Sequence, residues 1–204
     1  GRHLLGRYTA AALHGVTFAR FAARGQQGET APYLRRLAWY SAAYAVLTDV
    51  ALIRLGGALK RKEFLSGRYA DALAWMYMAS ALIKNMQEAA FDARTLPAAH
   101  WACQHALHQA EQAMFGILDN LPGRLFRRLL KLKLFPWGRR SPPPRDGLTA
   151  SVAAGLCADA AADRQFSTGI HHPLDGDQGL ALLNHALAAA TAAEPLRKRV
   201  REAV

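Results

Sequence analysis

The sequence predicts an all-α fold: a helical bundle of three to four long helices with a basic amphipathic insert and a C-terminal helix. Three observations carry this. Alanine is abundant while Val, Ile and Thr are sparse, and alanine loses no side-chain entropy on entering a helix. Apolar residues recur at spacings of three, four and seven over long stretches. Gly and Pro collect between those stretches, where the chain must turn. With 204 residues, 51% of them apolar, the chain can bury a sizeable core.

Taken in order, residues 4–23 (LLGRYTAAALHGVTFARFAA) form a small-residue helix ending near Gly25. Tyr33 to Leu55 is apolar almost all round, charged only at Arg35, Arg36, Asp49 and Arg54, and so reads as a helix in the middle of a bundle. Gly56-Gly57 stops it, and a basic Lys60-Arg61-Lys62 loop follows. The next helix, Glu63 to Ala90, has an inward stripe of Leu65, Tyr69, Leu73, Met76, Ile83 and Met86, with Ser80 in its gap. A third helix starts near Pro97, a residue suited to a first helical turn, and runs to Asp119 before the turn Asn120-Leu121-Pro122-Gly123. Thr149 to Ala158 is a short alanine-rich helix. A last helix spans Gln178 to Glu202, interrupted or kinked near Pro195. The organisation expected is a bundle over 1–123, a basic segment over 124–145, and a short helix, linker and C-terminal helix over 146–204.

Charge is distributed very unevenly. Arg124–Arg145 (RLFRRLLKLKLFPWGRRSPPPR) holds eight basic residues and no acid, so of the net charge of +11 only +3 lies elsewhere. Arg124, Arg127, Arg128 and Lys131 share one helical face. Leu125, Leu129 and Leu132, flanked by Phe126 and Leu130, lie opposite; Lys133 breaks the division, so the helix is expected to end near Leu132, with Leu134-Phe135-Pro136-Trp137 as an apolar tip. A cationic segment interleaved with large apolar groups suits an anionic phospholipid surface, where each nearby cation contributes about 1 kcal/mol. The residues expected to touch the membrane are Arg124, Leu125, Phe126, Arg127, Arg128, Leu129, Lys131, Leu134, Phe135, Trp137, Arg139 and Arg140. The other reading packs Leu125, Leu129 and Leu132 on the bundle and leaves the arginines merely solvated. Nucleic acid is not the expected partner, because no recognisable binding fold accompanies the charge.

The residues themselves point away from catalysis. There is no Gly-x-Ser-x-Gly elbow, Gly56-Gly57 lacks the spacing and Lys-Ser/Thr ending of a phosphate loop, and the fifteen acidic residues are scattered. His100, His105 and His108 with Cys103, Glu111 and Gln112 have spacings a metal site would use. A di-iron bundle needs Glu-x-x-His on two helices, and no second matching helix exists, so hydrogen-bonded bundle histidines and no metal are expected. His171-His172 beside Asp175 and Asp177 reads as a solvated linker. Cys103 and Cys157 read as reduced, intracellular core residues. No uninterrupted apolar run approaches the ~20 residues needed to span a bilayer, and no secretory signal is visible. The chain opens GRHLLGRYTA, without an initiator Met and already in helical pattern, as expected of a cut inside a longer protein.

A series of motifs then resembles one family. LGGALKRKE at Leu55–Glu63, LSGRYAD at Leu65–Asp71, YMASA at Tyr77–Ala81, HWA at His100–Ala102, QAEQA at Gln109–Ala113, NLPGR at Asn120–Arg124, FPWGR at Phe135–Arg139 and AEPL at Ala193–Leu196 occur in order. Spanning about residues 37 to 200, they are similar to the C-terminal region of the large bacterial acyl-CoA dehydrogenases of fatty-acid β-oxidation. The resemblance implies an FAD-dependent parent enzyme that oxidises long-chain acyl-CoA to trans-2-enoyl-CoA, using a carboxylate base and the flavin as hydride acceptor. It places the flavin domain, acyl-CoA pocket and base upstream of the matched region. No residue here matches the base, so no catalytic or cofactor-binding position is carried over, and no FAD is expected on this chain alone. Residues 33–90 also resemble the helical module appended after the core in membrane-associated very-long-chain mitochondrial relatives. The implied partners are the upstream catalytic core and electron-transfer flavoprotein; the anionic membrane surface is expected from the basic segment, and a homodimer belongs to the alternative, assembly role. The implied location is cytoplasmic, peripheral on the inner face of the bacterial cytoplasmic membrane. The alternative role is an assembly module packing on the core without membrane contact.

Overall fold

Helix is the only regular structure among the described residues, which in this computed structural model are 6, 9, 13, 28–88, 91, 95–158 and 179–203. The order is α1 (Ala31–Leu55), a 3₁₀ turn (Gly56–Arg61), α2 (Glu63–Glu88), α3 (Leu96–Asn120), α4 (Arg124–Leu134), α5 (Asp146–Ala158) and α6 (Leu180–Ala203). The all-α bundle read from composition and periodicity is therefore the fold. Of the helix expected over residues 4–23, only Gly6, Thr9 and Leu13 are described, each helical, and the rest lies outside the described residues. The chain divides into two units, residues 1–152 and 153–204. The basic segment belongs to the first.

In the first unit, α1, α2 and α3 pack along one another around Trp39, Tyr40, Leu47, Leu65, Tyr69, Met76, Leu107, Met114 and Leu118. The most deeply covered helix is α3, with Cys103, Ala106, Leu107, Ala110, Glu111, Met114, Ile117 and Leu118 all buried. The sequence pattern assigns that place to α1. Its inward residues, Trp39, Tyr40, Ala43, Val46, Leu47 and Val50, are indeed buried, but Leu52 and Ile53 near its end stand in solvent. Taken with the 3₁₀ turn, α1 is long and apolar enough to cross a membrane by length and composition, at a mean hydropathy of 1.5 over its best window. No uninterrupted apolar run of that length is present, as the sequence shows; the segment qualifies because a span tolerates one or two charges. Within the first unit one side of α1 packs into the bundle, through Trp39, Tyr40, Ala43, Val46, Leu47 and Val50.

Local chemistry explains the boundaries. Gly56 ends α1 with φ +48°, a left-handed conformation open to glycine, and donates its N–H to the Leu52 carbonyl. Lys60 and Arg61, expected in a loop with Lys62, fall instead in a 3₁₀ turn over Gly56–Arg61. In α2 the inward row is Leu65, Tyr69, Ala72, Met76, Ala79 and Ile83, with Met86 half-buried. Leu73, expected inside, is exposed, and Ala79 takes the gap assigned to Ser80, which is exposed and bonds the Tyr77 carbonyl. Small alanines at Ala72 and Ala79 keep the row continuous while letting α3 approach closely. Pro97 sits in the first turn of α3 as expected.

In the second unit, α6 runs through Pro195 without interruption. Proline removes one backbone donor, yet the bonds on either side suffice to carry the helix past it. Leu182, Leu183, Leu187, Leu196 and Val200 of α6 are exposed. The His171-His172 linker and the side chain of Cys157 lie outside the described residues.

Candidate functional site

The basic segment is built as a helix seated on the bundle, then a strap tied down behind it. α4 starts after Gly123, whose φ of +90° only glycine adopts easily, and ends at Leu134, where Phe135 N–H closes on the Lys131 carbonyl and Pro136 blocks another turn. The helix thus extends two residues past the expected Leu132.

Its three faces do different things. Leu130 and Leu134 are buried and Phe126 is half-buried, a row at spacings of four that packs on the bundle core. The Arg54 guanidinium lies 4.1 Å from the centre of the Phe126 ring. Leu125, Leu129 and Leu132 form a second row turned to solvent, 72%, 53% and 63% exposed. Arg124, Arg127, Arg128 and Lys131 form the third face and, with Asp119 at the end of α3, line an open cleft. Lys131 pairs with the Asp119 carboxylate, and Arg127 donates to the Asp119 carbonyl. The leucines expected either on lipid or on the bundle are therefore not on the bundle. The bundle is met instead by Phe126 and Leu130, which the sequence pattern makes flanks of the leucine row, and by Leu134.

The apolar tip is corrected by burial. Leu134 and Phe135 are only 1% and 3% exposed, so neither can reach a bilayer. The Phe135 ring sits 4.8 Å from Phe115 and 5.2 Å from Trp39, and the Trp39 indole N–H donates to the Leu134 carbonyl at 3.0 Å. Trp137 does remain exposed. Arg139 stacks 5.0 Å from the Phe115 ring, while Arg140 gives its backbone N–H to Glu111.

Behind the strap lies a polar lock that sequence reasoning missed. Glu111 is 1% exposed and accepts from Tyr40 Oη (2.8 Å), Arg140 N–H (2.8 Å) and Ser141 N–H (2.9 Å). Ser141 Oγ is 2.7 Å from Tyr40 Oη, and its carbonyl meets His108 Nδ1 at 2.7 Å. Burial, and then the Glu111 charge, push the Tyr40 phenol well above its usual range, so it stays a donor. The His108–Glu111 spacing suits a metal site; those side chains instead hold the strap from two adjacent turns. The other histidines have their own partners: His100 meets Tyr33 Oη at 2.8 Å, and His105 stacks on Trp101 and lies edge-on to Trp75. Among the described residues no three His, Cys, Asp or Glu side chains gather as a metal site would need. Cys103 faces Met86 Sδ at 3.6 Å, and burial pushes its thiol up to about 12.

A second cleft opens nearby, lined by Arg61, Lys62, Glu63, Phe64, Leu65, Arg68 and Asn120. Neither described cleft fits a flavin: one offers a single exposed ring, Phe64, the other none, and both are lined by charged side chains.

The family model described as acyl-CoA dehydrogenase, C-terminal, bacterial type matches residues 2–204, and the chain belongs to that family. No solved structure matches it.

Proposed function

We propose that this C-terminal domain docks an FAD-dependent, long-chain acyl-CoA dehydrogenase of β-oxidation on the inner face of the bacterial cytoplasmic membrane. The domain itself contributes no catalytic residue. The upstream catalytic core of the same protein binds FAD, oxidises acyl-CoA to trans-2-enoyl-CoA and passes electrons to electron-transfer flavoprotein. One observation carries the docking role: α4 is fixed by Phe126, Leu130 and Leu134, and its opposite leucines, Leu125, Leu129 and Leu132, stand in solvent beside Arg124 and Arg128. Burying each leucine in an apolar phase contributes about 1.5–3 kcal/mol, and each cation near an anionic surface about 1 kcal/mol. Long acyl-CoAs partition into bilayers, which gives the parent enzyme a reason to work there.

The test is co-sedimentation with anionic and zwitterionic vesicles at low and high salt. Binding to anionic vesicles that weakens with salt is expected. Failure to bind anionic vesicles at low salt overturns docking and leaves the family assignment untouched. A second reading, assembly on the catalytic core or with a second copy, is favoured by α2: from Tyr69 to Ile83 it has one charged residue, Asp71, yet Leu73, Tyr77 and Met78 are exposed.

A further inference from the structure

We infer that the cleft between Asp119 and α4 captures the phosphate of one anionic phospholipid, so that docking selects a headgroup and is more than diffuse attraction. This rests on the docking reading. The cleft brings together Arg124, Arg127, Arg128 and Lys131 with a single carboxylate. On α4 these cations stand at i, i+3, i+4 and i+7, so Arg124 faces Arg128 and Arg127 faces Lys131 across one turn, and like charges at that spacing destabilise a helix. Three of them, Arg124, Arg127 and Arg128, also crowd its N-terminal half, the positive pole of the helix dipole, where the first turn has no acidic residue and no side-chain cap. A sequence under selection for stability alone would put acids there.

Asp119 offsets part of this repulsion and, more usefully, aims the cations. Its carboxylate holds Lys131 and its carbonyl holds Arg127. Arg124 and Arg128 are exposed, and among the described residues no carboxylate pairs with either. Two or three guanidinium groups converging on one opening match the oxygens of a phosphate, which they grip in paired hydrogen bonds. The ligand must also have an apolar part. Leu132 and Leu129 follow Arg128 round the helix, so the leucine row runs directly beside the cleft. A free phosphate would use the cations and leave the leucines wet; a phospholipid uses both, with its phosphate in the cleft and its chains along Leu125, Leu129 and Leu132.

The experiment compares vesicles of matched surface potential whose anionic lipid is phosphatidic acid or a phosphate-free diacylglycerol succinate. The wild-type protein is expected to bind the phosphate vesicles at least about tenfold more tightly, a difference of about 1.4 kcal/mol. Arg127→Gln is expected to erase that preference while weakening binding to the succinate vesicles by no more than the roughly fivefold that one diffuse cation supplies. Arg145→Gln, which removes one exposed cation outside the cleft, should keep the preference. Equal wild-type binding to both vesicles overturns headgroup capture but leaves docking standing; binding to neither overturns docking and capture together. Inorganic phosphate alone, added without vesicles, should bind far more weakly than phosphatidic acid vesicles; comparable affinity would make this a free-phosphate site and overturn the lipid. In lipid-free buffer the double substitution R124Q/R128Q should raise the melting temperature, because it relieves repulsion kept for a ligand. A lowered melting temperature would make the cluster a structural element and sink the proposal.

Discussion

α4 and α2 both turn apolar side chains to solvent, and they differ in everything around those side chains. α4 sets Leu125, Leu129 and Leu132 among arginines and lysines. α2 sets Leu73, Tyr77 and Met78 among alanines, with Asp71 the lone charge between Tyr69 and Ile83. Charge content separates the surfaces they fit. An apolar row fringed by cations is stabilised by an anionic, deformable phase, and its affinity must fall with salt. A nearly uncharged face of small residues and one tyrosine gains nothing from anions and suits close packing against another protein surface. The proposed docking and assembly roles can therefore belong to one molecule, on different helices.

The contrast depends on α4 being held rigidly from behind, and the polar lock is the place to break it. Glu111→Ala would leave the buried Ser141 N–H and the part-buried Arg140 N–H without their acceptor, and the Tyr40 hydroxyl with Ser141 Oγ as its remaining partner. At about 1–3 kcal/mol for each of the two orphaned N–H groups, a loss of about 2–6 kcal/mol is expected in urea unfolding. Residues 135–145 should become the first site of limited proteolysis. Vesicle binding at full α4 affinity in that variant would show that α4 docks without its strap.

Leu130 and Leu129 are neighbours in sequence with opposite assignments. Leu130→Ala empties a buried position and is expected to cost about 2–5 kcal/mol of stability. Leu129→Ala should change stability by less than about 0.5 kcal/mol while weakening vesicle binding about tenfold, as loss of an inserted side chain requires. Equal destabilisation by both substitutions would place Leu129 in a core and end the distinction between the faces.

How far the sequence could go is visible in these same residues. Helical phasing correctly put Leu125, Leu129 and Leu132 together and apart from the arginines, because a period of 3.6 is a local property. It could not say which side meets the bundle, since that depends on residues far away: Trp39, Phe115 and Arg54 around Leu134, Phe135 and Phe126. A clue did exist. Phe126, Leu130 and Leu134 are spaced by four, a row as regular as the leucines, but ending the helix at Leu132 hid its last member. Glu111 shows the other limit: its three-residue spacing from His108 was legible, while its partners lie about thirty and seventy residues away. In α2 the periodicity marks the right row but puts Leu73 in the place that Ala72 fills, because the two are adjacent and alanine gives little hydrophobic signal.

Photo-reactive side chains in the full-length protein can sharpen the comparison. A benzophenone amino acid at position 129 is expected to label lipid when anionic vesicles are present. The same group at position 77 should label polypeptide, with or without vesicles, since Tyr77 stands on the face assigned to protein contact. Lipid labelling at both positions would merge the two faces into one membrane surface, and polypeptide labelling at both would remove the membrane from α4.

The smallest effect separates the two helices by pH. The inner side of α2 and the lock carry protonated acids: Tyr69, whose hydroxyl donates to the Leu47 carbonyl at 2.7 Å, and Tyr40, both raised above the usual phenol range chiefly by burial. Cys103 is held up to about 12 for the same reason. Each stays neutral in the fold while its unfolded counterpart ionises, the thiol near about 8.5 and the phenols near about 10. Their contribution is complete below those values and is lost as pH rises through the unfolded and toward the folded values, at up to about 1.4 kcal/mol per pH unit for each proton. Melting temperature should thus be level to about pH 8 and fall above it, with Cys103→Ala removing the first part of the fall. α4 has neither thiol nor phenol, so vesicle binding should persist over the first part of that decline, and a parallel loss of the two would mean that docking requires the α2 seam intact.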